Sequence, residues 1–238
     1  HLGHAYSAII SHDMARRKGG KFYLRIEDLD QSRSKKKWEN KIFDDLDWLG
    51  LSWDEPVVRQ SEQIDRYQNI LIKCRKELGL FECNCSRRDI KNALAAPHEN
   101  EKLSGPDGII YPGTCRGNMF PSKLNFENVL RMHINLSENK SFSFSELGQR
   151  KGEILFSSEE FSKTVGDVVL WRRGYPAYHL ACVIDDSEQK ITHVVRGLDL
   201  FDATKIHTVL NSYLGFQKPS YYHHKLICDE HGRRLAKR

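Results

Sequence analysis

No run of apolar residues in this sequence is long enough to cross a bilayer, and no signal-like segment precedes its first helical stretch. That argues against a helical membrane span within these residues and sets the expectation of a soluble, cytoplasmic protein. Internal repeats and low-complexity tracts are also missing, so no repeat architecture is implied. Charge of one sign is not in large excess: 37 Lys and Arg stand against 32 Asp and Glu, a net +5. An anionic partner is permitted without being demanded. Nor do the six cysteines form a disulfide framework, since Cys74, Cys182 and Cys228 are isolated in apolar contexts and only the other three cluster. What remains is a 238-residue chain, 39% hydrophobic, able to bury one large domain or a domain carrying an insertion.

The pattern along the chain is α/β. Residues 5–18 read as a helix ended by Gly19-Gly20, and residues 21–26 as a short buried strand leading into Glu27-Asp28-Leu29-Asp30. Further helices are expected over 38–49, stopped by Gly50, and over 61–78, started by Ser61 and stopped by Gly79. From Phe81 to about Thr164 the texture changes. Pro97, Gly105-Pro106, Pro112-Gly113 and Pro121 interrupt the chain, and 130–136 alternates like a strand. Regular α/β elements return at 165–170, 178–185, 191–195 and a helix over 202–214. The division is therefore 1–80, an insertion at 81–164, and 165–238.

His1-Leu2-Gly3-His4 puts two imidazoles three residues apart on the first turn of a helix. Gly3 lets a ligand approach the backbone, and free N–H groups with the helix dipole favour an anion there. A nucleotide phosphate is the natural candidate, and its partner is a distant lysine in Arg234-Leu235-Ala236-Lys237-Arg238. A phosphate-binding turn at residue 1 lacks the strand that ordinarily leads into it, so residues are expected to be missing at both ends.

Within the insertion, Cys83-Asn84-Cys85 and Tyr111-Pro-Gly-Thr-Cys115 offer three thiols and a phenol, a donor set suited to tetrahedral zinc in a structural role. Reduced structural cysteines beside a packed tyrosine fit the same spacing, and His98 is an alternative fourth ligand. Glu27 stands at the carboxyl end of a strand, where open α/β sheets contact ligands. Arg196, leaving an apolar strand into a glycine turn, is suited to clamping a carboxylate or to an ordinary salt bridge. Tyr178 lies in the same half. Asp185-Asp186 and Asp199 are open between holding ribose hydroxyls and capping helices.

Taken in order, HxGH, RIEDLD, GLSWDE, VVRGLDL and the terminal RLAKR resemble the signatures of the class I glutamyl-tRNA synthetase catalytic domain, over nearly the whole chain. The resemblance implies a Rossmann-like domain with an inserted, α+β, zinc-bearing, acceptor-binding subdomain. It implies that His1, Gly3, His4 and Lys237 bind ATP with Mg²⁺, that His1, His4 and Lys237 are catalytic, and that Glu27, Tyr178 and Arg196 bind L-glutamate. Cys83, Cys85, Tyr111 and Cys115 would hold Zn²⁺. Where zinc-bearing full-length enzymes tend to carry a histidine two residues past the last cysteine, this chain has Gly117. That is similar to the shortened glutamyl-Q branch, whose acceptor is the queuosine base of tRNA(Asp) and which would act as a monomer. The other candidate within the family is a full-length enzyme charging the 3′ end of tRNA(Glu). Arg234 and Ala236 depart from the lysine and serine of the KMSKS pattern, while Lys237 retains its second lysine.

Overall fold

A computed structural model describes residues 2–94, 104–233 and 235. His1, His98, Arg234, Ala236 and Lys237 lie outside the described residues.

The first helix, α1 (Leu2–Arg17), carries Arg16 and Arg17 in its last turn, where cations meet the negative end of the dipole. It closes when Gly19 turns left-handed at φ +63° and the Gly20 amide donates back to the Ala15 carbonyl at 2.8 Å. Strand β1 (Tyr23–Ile26) then pairs in parallel with β2 (Asp54–Arg59) across α2 (Lys36–Trp48), a βαβ unit. Next comes α3 (Ile64–Lys73), entered through a 3₁₀ turn at Gln60–Gln63. The expected helix over 61–78 is thus shorter. Past Lys73 the path continues as turns, because the Leu80 amide bonds the Arg75 carbonyl and Gly79 must adopt φ +54°. A side chain at Gly79 would also meet the His133 carbonyl oxygen at 2.3 Å.

The middle of the chain gives β3 (Leu80–Cys83), α4 (Arg87–Leu94), the two-residue strands β4 (Ser104–Gly105) and β5 (Gly108–Ile109), β6 (Val129–Met132), β7 (Ser141–Glu146), β8 (Gly152–Ser157) and α5 (Ser158–Thr164). The strand expected over 130–136 stops at Met132. The last part gives β9 (Val168–Arg172), β10 (Tyr175–Pro176), α6 (Tyr178–Glu188), β11 (His193–Gly197), α7 (Thr204–Leu214) and β12 (Ser220–His224).

Two four-stranded sheets result. One is antiparallel in the order β10-β9-β6-β3; the other, β11-β12-β7-β8, is parallel from β11 through β7 and antiparallel at β8. Both combine strands from either side of residue 164, so 81–164 is knitted into the sheets rather than hung from one edge. The main core runs across them through Tyr67, Leu71, Leu130, Phe144, Trp171, Leu180, Ile206 and Tyr221. Each such side chain, fully withdrawn from water, contributes about 1.5–3 kcal/mol. By contrast, α1 buries no residue completely, which leaves its first turn open to solvent.

Candidate active site and metal cluster

The carboxyl ends of the parallel strands collect the polar groups. β1 runs into Glu27, β11 ends with Arg196 and Gly197, and β12 ends with His224. The start of α1 is pinned to that rim: Ser7 Oγ lies 2.6 Å from His224 Nε2, and Tyr6 meets the same imidazole edge-on at 5.0 Å. Gly3 and His4 therefore lie on the first helical turn beside the strand ends, with His4 exposed.

Glu27 is half-exposed, with Arg25 Nη2 at 3.5 Å. The Cys182 thiol donates to Glu27 Oε1 at 3.4 Å. Burial and then the charge of Glu27 raise the Cys182 pKa well above that of an ordinary thiol, so the group stays protonated and serves as a donor. Tyr178 and Cys182 sit one turn apart on α6, facing the same way. Burial pushes the Tyr178 phenol pKa up; Cys182 and Glu27 add to this and Arg196 opposes it.

Arg196 is buried and held from three sides. Its Nε donates to His223 Nε2 at 3.2 Å, its Nη2 donates to Thr204 Oγ1 at 2.6 Å, and the guanidinium lies over the Tyr221 ring at 5.1 Å. Because His223 Nε2 accepts, its proton must be on Nδ1, which faces Glu146 Oε2 at 2.6 Å. The imidazole is neutral in this arrangement, in keeping with burial lowering its pKa. Among the described residues no carboxylate forms an ion pair with Arg196. Its charge is thus positioned by neutral groups and left available to an incoming carboxylate.

The Asp185-Asp186 pair caps no helix; both side chains are engaged by other side chains. Asp185 is buried, accepting from Gln60 Nε2 at 2.9 Å and from Tyr67 Oη at 2.9 and 3.0 Å, and burial raises its pKa. Asp186 accepts from Arg25 Nη1 at 2.8 Å. Both lie in the last part of α6 and orient Arg25, which in turn faces Glu27. Sequence reasoning missed Arg25, Cys182, Thr204, His223 and Glu146. Only Cys182 had a legible signal, its spacing of four from Tyr178.

Away from this rim, three thiols converge. Cys83 ends β3, Cys85 follows it, and the chain is fixed there because the Ser86 amide and hydroxyl both donate to Asp89 Oδ2 while the Asp89 amide donates to Ser86 Oγ, a reciprocal cap for α4. Cys115 comes from a turn in which its own amide donates to Tyr111 Oη at 2.9 Å. The three sulfurs lie within 4.8 Å of one another, Cys85 and Cys115 at 3.5 Å, and Tyr111 Oη is 3.5 Å from Cys85. Ligands about 2.3 Å from a tetrahedral zinc stand about 3.8 Å apart, so this donor set fits the ion. The thiols are already differentiated. Burial raises the Cys85 pKa, whereas at Cys115 hydrogen bonds from Tyr111 and the Asn84 backbone outweigh burial and lower it. Gly117, within the 3₁₀ turn Arg116–Asn118, has no donor to add.

Two cavities flank these groups. One of about 880 Å³ is lined by Tyr178, His179, Asp107 and Arg131; the other, about 660 Å³, opens between β1 and β11 and is lined by Glu27, Arg25 and His193.

The model of the catalytic domain of class I tRNA synthetases, E and Q, matches residues 1–238. The chain belongs to this family. A protein named glutamyl-Q tRNA(Asp) synthetase from Rhodobacter capsulatus is 48% identical over 242 residues, covering 100% of this chain and 86% of its own length. A namesake from Prochlorococcus marinus is 37% identical, with 100% and 69% covered. A glutamate–tRNA ligase from Hydrogenobaculum is 35% identical, with 100% and 50% covered. The solved glutamate-tRNA synthetase of Elizabethkingia anophelis superposes with a TM-score of 0.75 at 25% identity over 99% of this chain, which spans half of that enzyme. For a synthetase catalytic domain, the strand-end rim carries the natural amino-acid and nucleotide sites.

Proposed function

We propose that this synthetase activates L-glutamate with ATP and transfers the glutamyl group to a hydroxyl of the queuosine base in tRNA(Asp). The observation that carries the first step is that Glu27 at the end of β1 meets the Cys182 thiol at 3.4 Å, one turn from Tyr178 on α6, while Arg196 in β11 is held by neutral groups. Glu27 meets the substrate ammonium, Arg196 meets one substrate carboxylate, and the Tyr178 hydroxyl closes the pocket between them.

The substrate's α-carboxylate attacks the α-phosphorus of ATP, and the bond to pyrophosphate breaks. A carboxylate with a pKa of about 4 is already ionised at neutral pH, so the step needs no general base. Catalysis is then positioning and neutralisation of charge. His4 on the first turn of α1, with Gly3 allowing close approach, stabilises the phosphates together with His1, Lys237 and Mg²⁺. Residues 81–164 supply the acceptor-binding part, in which Cys83, Cys85, Tyr111 and Cys115 hold zinc. The ion serves structure there, because all four positions are filled by protein groups.

The choice of acceptor is supported by the Cys83, Cys85, Tyr111, Cys115 set with glycine at 117, and by the relatives named glutamyl-Q tRNA(Asp) synthetase. The protein is taken to act as a cytoplasmic monomer. No helix among the described residues is long and apolar enough to cross a membrane.

Glutamate-dependent exchange of labelled pyrophosphate into ATP, run beside aspartate and glutamine, tests the activation step. Exchange with glutamate at least about tenfold above the other two is expected, since the wrong length or a lost charge removes a paired interaction worth about 1.5–3 kcal/mol. Equal exchange with all three would contradict the assigned roles of Glu27 and Arg196.

A further inference from the structure

The larger cavity has one wall made of cations that the activation step does not use. Arg87 and Lys91 come from α4, Arg131 from β6 and Arg172 from β9, and all four line the same space as Tyr178. Among the described residues none of them forms an ion pair with a carboxylate. The nearest candidate acid is already engaged: Asp167 accepts from Arg116 Nε at 2.8 Å and Nη2 at 3.2 Å, and lies 2.8 Å from His133 Nδ1. Arg131 receives only the Asp167 backbone carbonyl, at 3.1 Å from Nη1. Its guanidinium lies 4.1 Å over the Tyr111 ring, and its Nε is buried with no hydrogen-bond partner. A guanidinium at a cavity wall with no carboxylate partner among the described residues is available to an anionic ligand.

The opposite side of the cavity differs in kind. There Asp107 accepts from His179 Nε2 at 2.9 Å, His179 Nδ1 meets His207 Nε2 at 2.9 Å, and Tyr178 stands beside both rings. The cavity thus offers an aromatic and hydrogen-bonding face for a nucleoside, and a cationic face for the phosphate attached to it. Its position next to Tyr178 puts such a nucleoside within reach of an activated glutamate.

We infer that the Arg131 and Arg172 wall of this cavity is an anion subsite for a backbone phosphate of the acceptor RNA, adjoining the nucleoside that receives the glutamyl group. The inference rests on the proposed function for the identity of that RNA. It also connects the cysteine cluster to acceptor recognition, because Tyr111 supports the Arg131 guanidinium from behind.

The test is the salt dependence of equilibrium binding of queuosine-containing tRNA(Asp), between about 50 and 200 mM monovalent salt. Each phosphate contact contributes about 0.7–0.9 to the slope of log K against log salt, so the Arg131→Gln and Arg172→Gln double variant should flatten it by about that amount and each single variant by part of it. Arg131→Lys should keep the slope. Arg172 is exposed, so its variant reads the wall even if Arg131→Gln perturbs folding. Unchanged slopes in both Gln variants overturn the inference. So does a rise in the KM for ATP in pyrophosphate exchange with the slope unmoved, which would assign the wall to the nucleotide triphosphate. Because binding is read without catalysis, wild-type protein that binds the RNA with these slopes yet glutamylates none of it would count against the proposed transfer and leave the subsite standing.

Discussion

The cysteine cluster takes its four groups from two short stretches of one part of the chain, and the three sulfurs lie within 4.8 Å of one another. The proposed glutamate pocket takes Glu27, Tyr178 and Arg196 from three separate elements, with Glu27 and Arg196 already oriented by Arg25, Cys182, Thr204, His223 and Glu146. On the proposed function the first arrangement holds a zinc ion and the second is completed by the substrate. Removing a partner should therefore do different things to the two: collapse of local structure in the cluster, loss of affinity or rate in the pocket.

Metal removal is the largest expected effect. Chelation should release about one zinc per chain and accelerate amide exchange around Cys83–Cys85 and Tyr111–Cys115 by orders of magnitude, since structural zinc binding is worth on the order of 10 kcal/mol. Exchange rates in α6 and β11 should stay within about threefold, because the main core there does not include the cluster. Equal acceleration in both regions would erase the distinction.

Arg196→Ala comes next. It should lower kcat/KM for glutamate in pyrophosphate exchange about 10²-fold, on the order of 3 kcal/mol for a lost charged contact, with metal content unaltered. Glu146→Gln acts one step further back. It replaces the carboxylate that fixes the His223 proton on Nδ1, so Arg196 loses its defined acceptor, and a roughly tenfold rise in the glutamate KM is expected. A fall in kcat with KM unmoved would mean that the network serves something other than substrate binding.

The smallest effect is on pH dependence. His207 and His223 both have lowered pKa values because burial disfavours the imidazolium. The unfolded chain then binds more protons between the folded values and about 6.5, so stability is full above about pH 6.5 and falls as pH drops below it. Urea midpoints measured from pH 7.5 to 5.5 should decline on the acid side, and His207→Gln should lessen that decline. Stability rising toward pH 5.5 would contradict neutral imidazoles in the core.

How far the sequence could be read follows from the same contrast. Cys83 with Cys85, and Tyr111 with Cys115, were legible as pairs from their short spacing, while joining the two pairs, 26 residues apart, rested on the family resemblance. The first two helices were legible because Gly19 and Gly50 end them at positions where a left-handed residue is required, whereas β2 (Asp54–Arg59) was not foreseen. The 61–78 reading overran α3, which ends at Lys73, because the glycine taken as its stop, Gly79, instead closes the turns that follow, where a side chain would meet the His133 carbonyl. Glu146, an acid at the end of an alternating strand, looks solvated in sequence and is in fact buried under His223. Asp185-Asp186 misled for the opposite reason, being adjacent to a ligand site yet committed to Gln60, Tyr67 and Arg25. Partners separated by more than a hundred residues leave no trace in local pattern.

The most direct test of the account is the acceptor itself. Labelled glutamate and ATP should be incubated with tRNA(Asp) carrying queuosine, tRNA(Asp) lacking it, and tRNA(Glu), each with and without its 3′-terminal adenosine. Glutamylation of queuosine-containing tRNA(Asp) alone, undiminished when the 3′ adenosine is removed, is the predicted result. Glutamylation of tRNA(Glu), abolished by removing that adenosine, would contradict it.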